Sequence, residues 1–327
     1  MSSVDVIVPC YRYGQFLEEC VTSVLAQPGP SIRVLVIDDA SPDNTKEIAT
    51  ELARRDSRVT LLSHSSNRGH ITTYNEGIEW ASAKYLLLLS ADDYLLPGAL
   101  QRATRLMDAH PNVGFLFGAA IMLESETERT RTVLSLPVKK DRVLTGAQFI
   151  KRSAGKNIVF TPTAIVRTEF QKRVGGYRSD LPHCADMELW FRMAAERDVG
   201  YISTPQAVYR RHAANMSLPY MTHFLPDLLE RRTVLDGFFS HHRHPDTGYL
   251  YRRARRSLGC SAVAFASASF EKGDAEACRE LMRFALECSP AIIGSVPWFK
   301  FTLKRVLGLK ASGALRSLLG RKTTGYS

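Results

Sequence analysis

The chain has 327 residues, of which 45% are hydrophobic and 23% charged, and a formal net charge of +10. That length suits one large or two ordinary domains, and the composition excludes a chain disordered throughout. No uninterrupted apolar run approaches the ~20 residues a membrane-spanning helix needs, and the six cysteines show no CxxC pairing or zinc-ligand spacing.

Met1-Ser2-Ser3 leads straight into an apolar run, so no signal peptide is expected and the thiols should be free in a cytoplasmic protein. The charge is uneven. From Tyr220 onward there are 17 Lys and Arg against 9 Asp and Glu, and no acid follows Glu287. Such a tail calls for an anionic partner.

The first 120 residues alternate between two periods. Val4–Pro9 reads as a strand and Phe16–Gln27 as a helix. Arg33–Asp38 is a second strand, Asn44–Ala53 a helix, Val59–Leu62 a third strand and Thr72–Ala81 a helix. Tyr85–Leu89 is a fourth strand, continuously apolar and so buried on both faces. It ends at Ser90-Ala91 and delivers Asp92 and Asp93, after which Pro97 opens a helical pattern through Leu100–Ala109. Val113–Phe117 is a fifth strand. Alternation of this kind predicts an α/β fold, a mostly parallel sheet wrapped by helices, with ligands beyond the strands' carboxyl ends.

Residues 121–145 read as a solvent-facing hairpin or loop. Ala147–Arg152 is a short helix, and 157–166 a strand pair or one strand bent at Pro162. Asp186–Ala195 is an amphipathic helix, and Val199–Ser203 and Ala207–Arg211 are short strands. After residue 218 only helical patterns remain, so the expected domains are 1–218 and a helical, basic 219–327. Gly273 and Asp274 suit the end of one helix and the cap of the next. Val296–Lys322 combines apolar residues with seven basic ones, an amphipathic stretch suited to an anionic membrane surface or to packing on the body with its charges in water.

Polar residues gather at three strand ends: Tyr11-Arg12, Asp38-Asp39 and Asp92-Asp93. Two acids beside an apolar strand are costly unless paired, and a hard divalent cation pairs them. Neither GxGxxG nor GxxxxGK[ST] follows the first strand, which disfavours a dinucleotide site and a P-loop. No zinc module, RNA-recognition signature or helix-turn-helix spacing suggests nucleic-acid binding.

The segments VIVPCYRYGQFLEECVTSVLAQ, VLVIDDASPDNT, NRGHITTYNEGI and LLLLSADDYLLPGAL, in this order, resemble the family 2 glycosyltransferases of GT-A fold over residues 4–217. The resemblance implies inverting transfer of a sugar from a nucleotide-sugar donor, a UDP-sugar, to an acceptor hydroxyl on a lipid-linked or surface glycan, with Mn2+ or Mg2+. It implies that Pro9 and Tyr11 border the nucleotide base, that Asp39, with Asp38 beside it, accepts a uracil-type N–H, and that Arg68 lies near the phosphates. Asp92 would contact the ribose, Asp93 would bind the metal, and His212 would reach the metal or diphosphate. Asp186 would be the catalytic base, or otherwise a helix N-cap.

Two acids of the family pattern are replaced, by Ser90 and Ala185. Those replacements keep a catalytically inactive binding module open as an alternative. A nucleotidyltransferase is the other, although Tyr11-Arg12-Tyr13-Gly14 poorly matches a triphosphate loop.

Overall fold

The computed structural model describes residues 2–216, 218, 224–242 and 244–318, with side chains of the last helix through 307. Two compact units emerge: one holds Met1–Ser153 with Asn157–Leu218, the other Ala154–Lys156 with the C-terminal helices.

In the first unit, strands form where apolar runs are continuous. They are β1 (Ser3–Cys10), β2 (Ser31–Asp38), β3 (Val59–Ser63) and β4 (Tyr85–Leu88), joined by α1 (Gly14–Leu25), α2 (Thr45–Arg55) and α3 (His70–Trp80). The sheet order begins β3-β2-β1-β4, all parallel. The chain therefore runs outward from β1 to β3 and then crosses to β1's other side. Strand order reverses between β1 and β4, which opens a crevice at their carboxyl ends. Helix α3 lies close over this sheet: a Cβ on Gly77 would stand 2.3 Å from Cγ2 of Ile7.

The sheet continues through β9 (Ile165–Arg167), which is antiparallel to both β4 and β6 (Val113–Glu124). β6 pairs in parallel with β10 (Asp198–Arg211). β5 (Tyr94–Leu95) and β8 (Arg142–Leu144) add antiparallel to β10, and β7 (Arg129–Val133) forms a hairpin with β6. Helices α4 (Ala99–Ala109), α5 (Gly146–Ser153), α6 (Thr168–Val174) and α7 (Ala185–Glu196) complete the unit. The result is the expected α/β architecture, a mostly parallel central sheet flanked by helices.

Several local expectations are corrected. The two short strands expected at 199–211 are one strand, β10, with a register shift between Ile202 and Ala207. Residues 157–166 do not form a strand pair: Pro162 sits in a 3-10 turn, Thr161–Thr163, and only β9 follows. Proline suits that turn because it needs no amide donor at the start. Pro97 does not open α4, whose cap is Gly98 in the left-handed region at φ 75°.

The second unit contains α8 (Phe224–His241), α9 (Thr247–Glu271), α10 (Ala275–Cys288) and α11 (Val296–Leu318). Gly273, at φ 79°, turns the chain out of α9, and the Asp274 carboxylate caps α10 by accepting from Ala277 N at 3.0 Å. Among the described residues no helix is long and apolar enough to cross a membrane. Arg321 and Lys322 of the basic stretch lie outside the described residues.

One buried acid, Asp5 on β1, staples the edge of the sheet far from the crevice. Its oxygens accept from Arg33 Nε and Nη2 at 2.8 and 2.6 Å and from the amides of Ser82 and Ala83 at 2.7 and 2.8 Å. Burial pushes its pKa up, but Arg33 and the two amides outweigh that and leave it below the ordinary carboxylate value. Removing the carboxylate strands both amides. Asp5→Ala should therefore cost about 2 kcal/mol at pH 7, read from urea unfolding. Because the folded-state pKa is depressed, the wild-type advantage over Asp5→Asn should be full above pH ~4 and fade as pH falls through the lowered value.

Candidate active site

The crevice is walled by loops that leave β1, β2, β3 and β4, and by the chain beyond β10. The β1 exit holds Pro9, half-buried, and Tyr11, 37% exposed, with the Arg12 guanidinium 5.2 Å from the Tyr11 ring. Arg12 adopts φ 63°, and its amide donates to Ser41 Oγ at 2.7 Å, so the β1 and β2 exits are tied together. Asp43 strengthens the tie, accepting from Gly14 N, Thr45 N and the hydroxyls of Ser41 and Thr45. Burial raises its pKa, but these donors more than compensate and hold it low.

Asp38 and Asp39 are both buried but do different things. Asp38 Oδ1 accepts from Ser41 N and shapes the β2 turn. Asp39 faces the loop after β3: its oxygens accept from Arg68 N at 2.7 Å, Gly69 N at 3.0 Å and His64 Nδ1 at 2.7 Å. A carboxylate offers about four lone-pair positions. One therefore remains for a ligand donor.

His64 was not anticipated from the sequence. Its side chain is 4% exposed, and its Nε2 lies 2.7 Å from Glu76 Oε2. With a carboxylate on each nitrogen, the imidazolium form, in which both nitrogens donate, fits this position. Burial works against that charge, yet Asp39 and Glu76 together leave the pKa raised. Glu76 also pairs with Arg68 Nη1 at 3.2 Å. Arg68 is thus placed at the crevice by its backbone on Asp39 and its side chain on Glu76.

Asp92 and Asp93 follow β4 and are 5% and 3% exposed. Asp93 Oδ1 accepts from Arg210 N at 2.9 Å. Burial, and then the adjacent Asp92 charge, push the Asp93 pKa well up. Asp92 Oδ2 accepts from Asn215 Nδ2 at 3.0 Å and lies 3.2 Å from His212 Nε2. His212 Nδ1 accepts from Ala214 N, so Nε2 carries the proton and donates. Asp92 Oδ1 is buried and has no hydrogen-bond partner among the described residues.

The structure thus joins His212 to Asp92, in a loop pinned to α1. Tyr13 Oη donates to Ala214 O at 2.9 Å, and the His212 ring meets those of Tyr13 and Phe16 at 5.3 and 5.0 Å. Arg210 is engaged elsewhere, by Glu19 at 2.5 Å and by the rings of Phe16 and Tyr94.

Asp186 lies in the first turn of α7; the cap position belongs to Cys184. Its Oδ2 accepts from Asn157 Nδ2 at 2.6 Å and Thr161 Oγ1 at 3.4 Å, and its Oδ1 accepts from Met187 N at 2.6 Å. Burial raises its pKa despite these donors. Burial also raises the phenol of Tyr74, on α3, and the charges of Asp92, Asp186 and Asp93 add to that shift. Trp190 belongs to the core, stacked on Phe115 at 5.0 Å.

The model of the family described as glycosyl transferase family 2 matches residues 5–172. The uncharacterised protein MT1568 of Mycobacterium tuberculosis is 28% identical over 242 residues, 71% of this chain and 72% of that protein. The GalNAc(5)-diNAcBac-PP-undecaprenol beta-1,3-glucosyltransferase of Campylobacter jejuni is 26% identical over 213 residues, 64% and 65% of the two chains. Among solved structures, S. aureus TarS 1-349 in complex with UDP-GlcNAc superposes with a TM-score of 0.58 at 17% identity, covering 86% of this chain and 91% of that one. Mannosyltransferase PcManGT from Pyrobaculum calidifontis, in complex with GDP-Man and Mn2+, gives 0.57 at 18% identity, covering 97% and 88%.

The His64 bridge is testable without a ligand. A group whose folded pKa is raised stabilises fully below its unfolded value, ~6.5, and loses that contribution as pH rises through the folded value. The stability advantage of wild type over His64→Gln should therefore be about 1–3 kcal/mol at pH 6. It should shrink at higher pH, and nitrogen NMR of the ring should show both nitrogens protonated at pH 6.

Proposed function

Since this chain belongs to glycosyl transferase family 2, we propose that it moves a sugar from a UDP-sugar to an acceptor hydroxyl with inversion, using Asp92 and Asp93 to hold a divalent cation and Asp186 as base. It is an enzyme of the transferase class. The observation that carries the site assignment is the buried Asp92 Oδ1 beside Asp93, without a hydrogen-bond partner among the described residues. A dry oxygen with no donor, next to a second carboxylate, is expensive unless a cation completes it.

The donor set suits Mn2+ or Mg2+, which commonly take one or two protein carboxylates and fill the remaining positions with substrate phosphates and water. Such an ion, when bound, neutralises the charge that grows on the departing diphosphate. Asp93 and Asp92 Oδ1 would hold it. A ligand role for His212 requires its Nε2 to give up the proton now shared with Asp92; otherwise it fixes Asp92 from behind.

Placement at the crevice supports the remaining roles. Asp39 keeps one lone pair for the N–H of a uracil-type base, with Asp38 holding the turn and Pro9 and Tyr11 flanking the ring. Arg68 can exchange Glu76 for nucleotide phosphate, a stronger charge-assisted partner. Asp186 is held by Asn157 and Thr161, and its raised pKa makes it a better proton acceptor than an exposed aspartate. UDP-GlcNAc in TarS and Mn2+ in PcManGT support the donor class and the metal. The Campylobacter relative supports a lipid-linked glycan acceptor.

The experiment is release of nucleoside diphosphate from a panel of nucleotide sugars with Mn2+. Asp93→Asn should lower transfer by about a hundredfold to a thousandfold. Without metal the same variant should unfold at higher urea than wild type, because a buried like-charge contact is gone. Full transfer by Asp93→Asn would defeat the assignment. Asp186→Asn should fold normally and lose transfer. In wild type the rising limb of the pH–rate profile should lie above the ordinary aspartate value of ~3.9, since burial raises that pKa.

A further inference from the structure

Over its described side chains, residues 296–307, helix α11 presents an apolar stripe on its outer side as well as a packed inner side. The inner face carries Phe301, 2% exposed and 6.0 Å from the ring of Phe270 on α9. It also carries Lys304, whose ammonium reaches Ser267 Oγ and Glu271 Oε1 on α9. A surface helix packed this way ordinarily turns charged and polar residues outward. Here the outward positions are Val296, Phe299, Leu303 and Val306, exposed by 66%, 67%, 37% and 77%. Their spacing of three, seven and ten residues from the first puts them in one stripe. Ile293, 57% exposed, precedes the helix. A stripe of this kind needs an apolar partner.

Charge selects that partner. No acid follows Glu287, and of the seven Lys and Arg in the stretch six remain besides Lys304, which is already paired with Glu271. Lys300 and Arg305 are exposed on the described part of the helix. A second copy of the chain meeting the stripe face to face would bring cation against cation. A nucleic acid would satisfy the cations and leave the apolar residues in water. An anionic bilayer satisfies both, since acyl chains take the stripe and headgroup phosphates take the cations. We infer that the outer face of α11 docks this protein on anionic membrane, lying in the interface. The inference stands on α11 alone and does not require the transfer reaction.

The test is flotation of the full-length protein with phosphatidylcholine vesicles, with or without phosphatidylglycerol. The protein should float with the phosphatidylglycerol vesicles and bind about tenfold more weakly to phosphatidylcholine alone. The double substitution Phe299→Glu with Val306→Glu should cut binding by about tenfold or more, because it puts charge into the stripe. Lys300→Glu with Arg305→Glu should cut binding to the anionic vesicles and leave the weak phosphatidylcholine binding unchanged. All four residues are exposed, so circular dichroism should match wild type, and diphosphate release from a soluble donor should be unaffected. If wild type fails to float with either vesicle, the inference is overturned. It is overturned equally if light scattering shows a dimer that the Phe299 and Val306 substitutions dissolve while vesicle binding persists.

Discussion

Two adjacent carboxylates at the dry end of a buried strand are the constraint around which the rest of this molecule is arranged. Asp92 and Asp93 repel each other, and each loses hydration on folding. Only part of that cost is offset by the protein. One Asp93 oxygen has the Arg210 amide, and one Asp92 oxygen has Asn215 and His212. All three donors come from the end of β10 and the loop beyond it, more than a hundred residues away in sequence. The sheet brings them in because β10 pairs antiparallel with β5, placing Val208 opposite Tyr94. The remaining Asp92 oxygen has no hydrogen-bond partner among the described residues, which leaves that part of the cost uncompensated.

The other acids at the crevice divide differently. Asp38, Asp39 and Asp43 spend their oxygens largely on backbone amides of neighbouring loops. Each such bond is charge-assisted and fixes a turn, including the strained positions Arg12 and Ala40 with positive φ. The loops that would surround a nucleotide are therefore held before it arrives, which lowers the ordering cost of binding. His64 extends this to the β3 exit. It is a buried ring set between Asp39 and Glu76, whose carboxylates favour its protonated form.

The parallel half of the sheet was legible because each strand is a short apolar run bounded by turn residues, and the crevice followed from where the polar residues fell. The resemblance to family 2 picked out Asp39, Arg68, Asp92, Asp93, Asp186 and His212 as residues to examine. What sequence reading could not supply was partnership. His64 and Asn215 are lone polar residues in loops, with no periodicity to mark them, and their roles exist only once strands distant in sequence are adjacent. The three-residue interval from His212 to Asn215, whose side chain accepts the His212 amide at 2.6 Å, was the one available hint of a tight turn. The short elements β5 and α6 were missed for a related reason: two and seven residues are too few to establish a period.

The antiparallel strand β9 explains how the turn that holds Asp186 is carried toward the carboxyl end of β4. β9 is three residues long and enters between β4 and β6, with Ile165 opposite Leu87 and Arg167 opposite Tyr85. Its beginning therefore lies at the carboxyl end of β4, where Asp92 and Asp93 emerge. The 3-10 turn just before it, Thr161–Thr163, is carried to that end as a consequence, and Thr161 Oγ1 and Asn157 Nδ2 then meet Asp186. A parallel β9 would have put this turn at the opposite edge of the sheet. The direction of one three-residue strand thus decides at which end of β4 this turn, and the Asp186 it holds, is found.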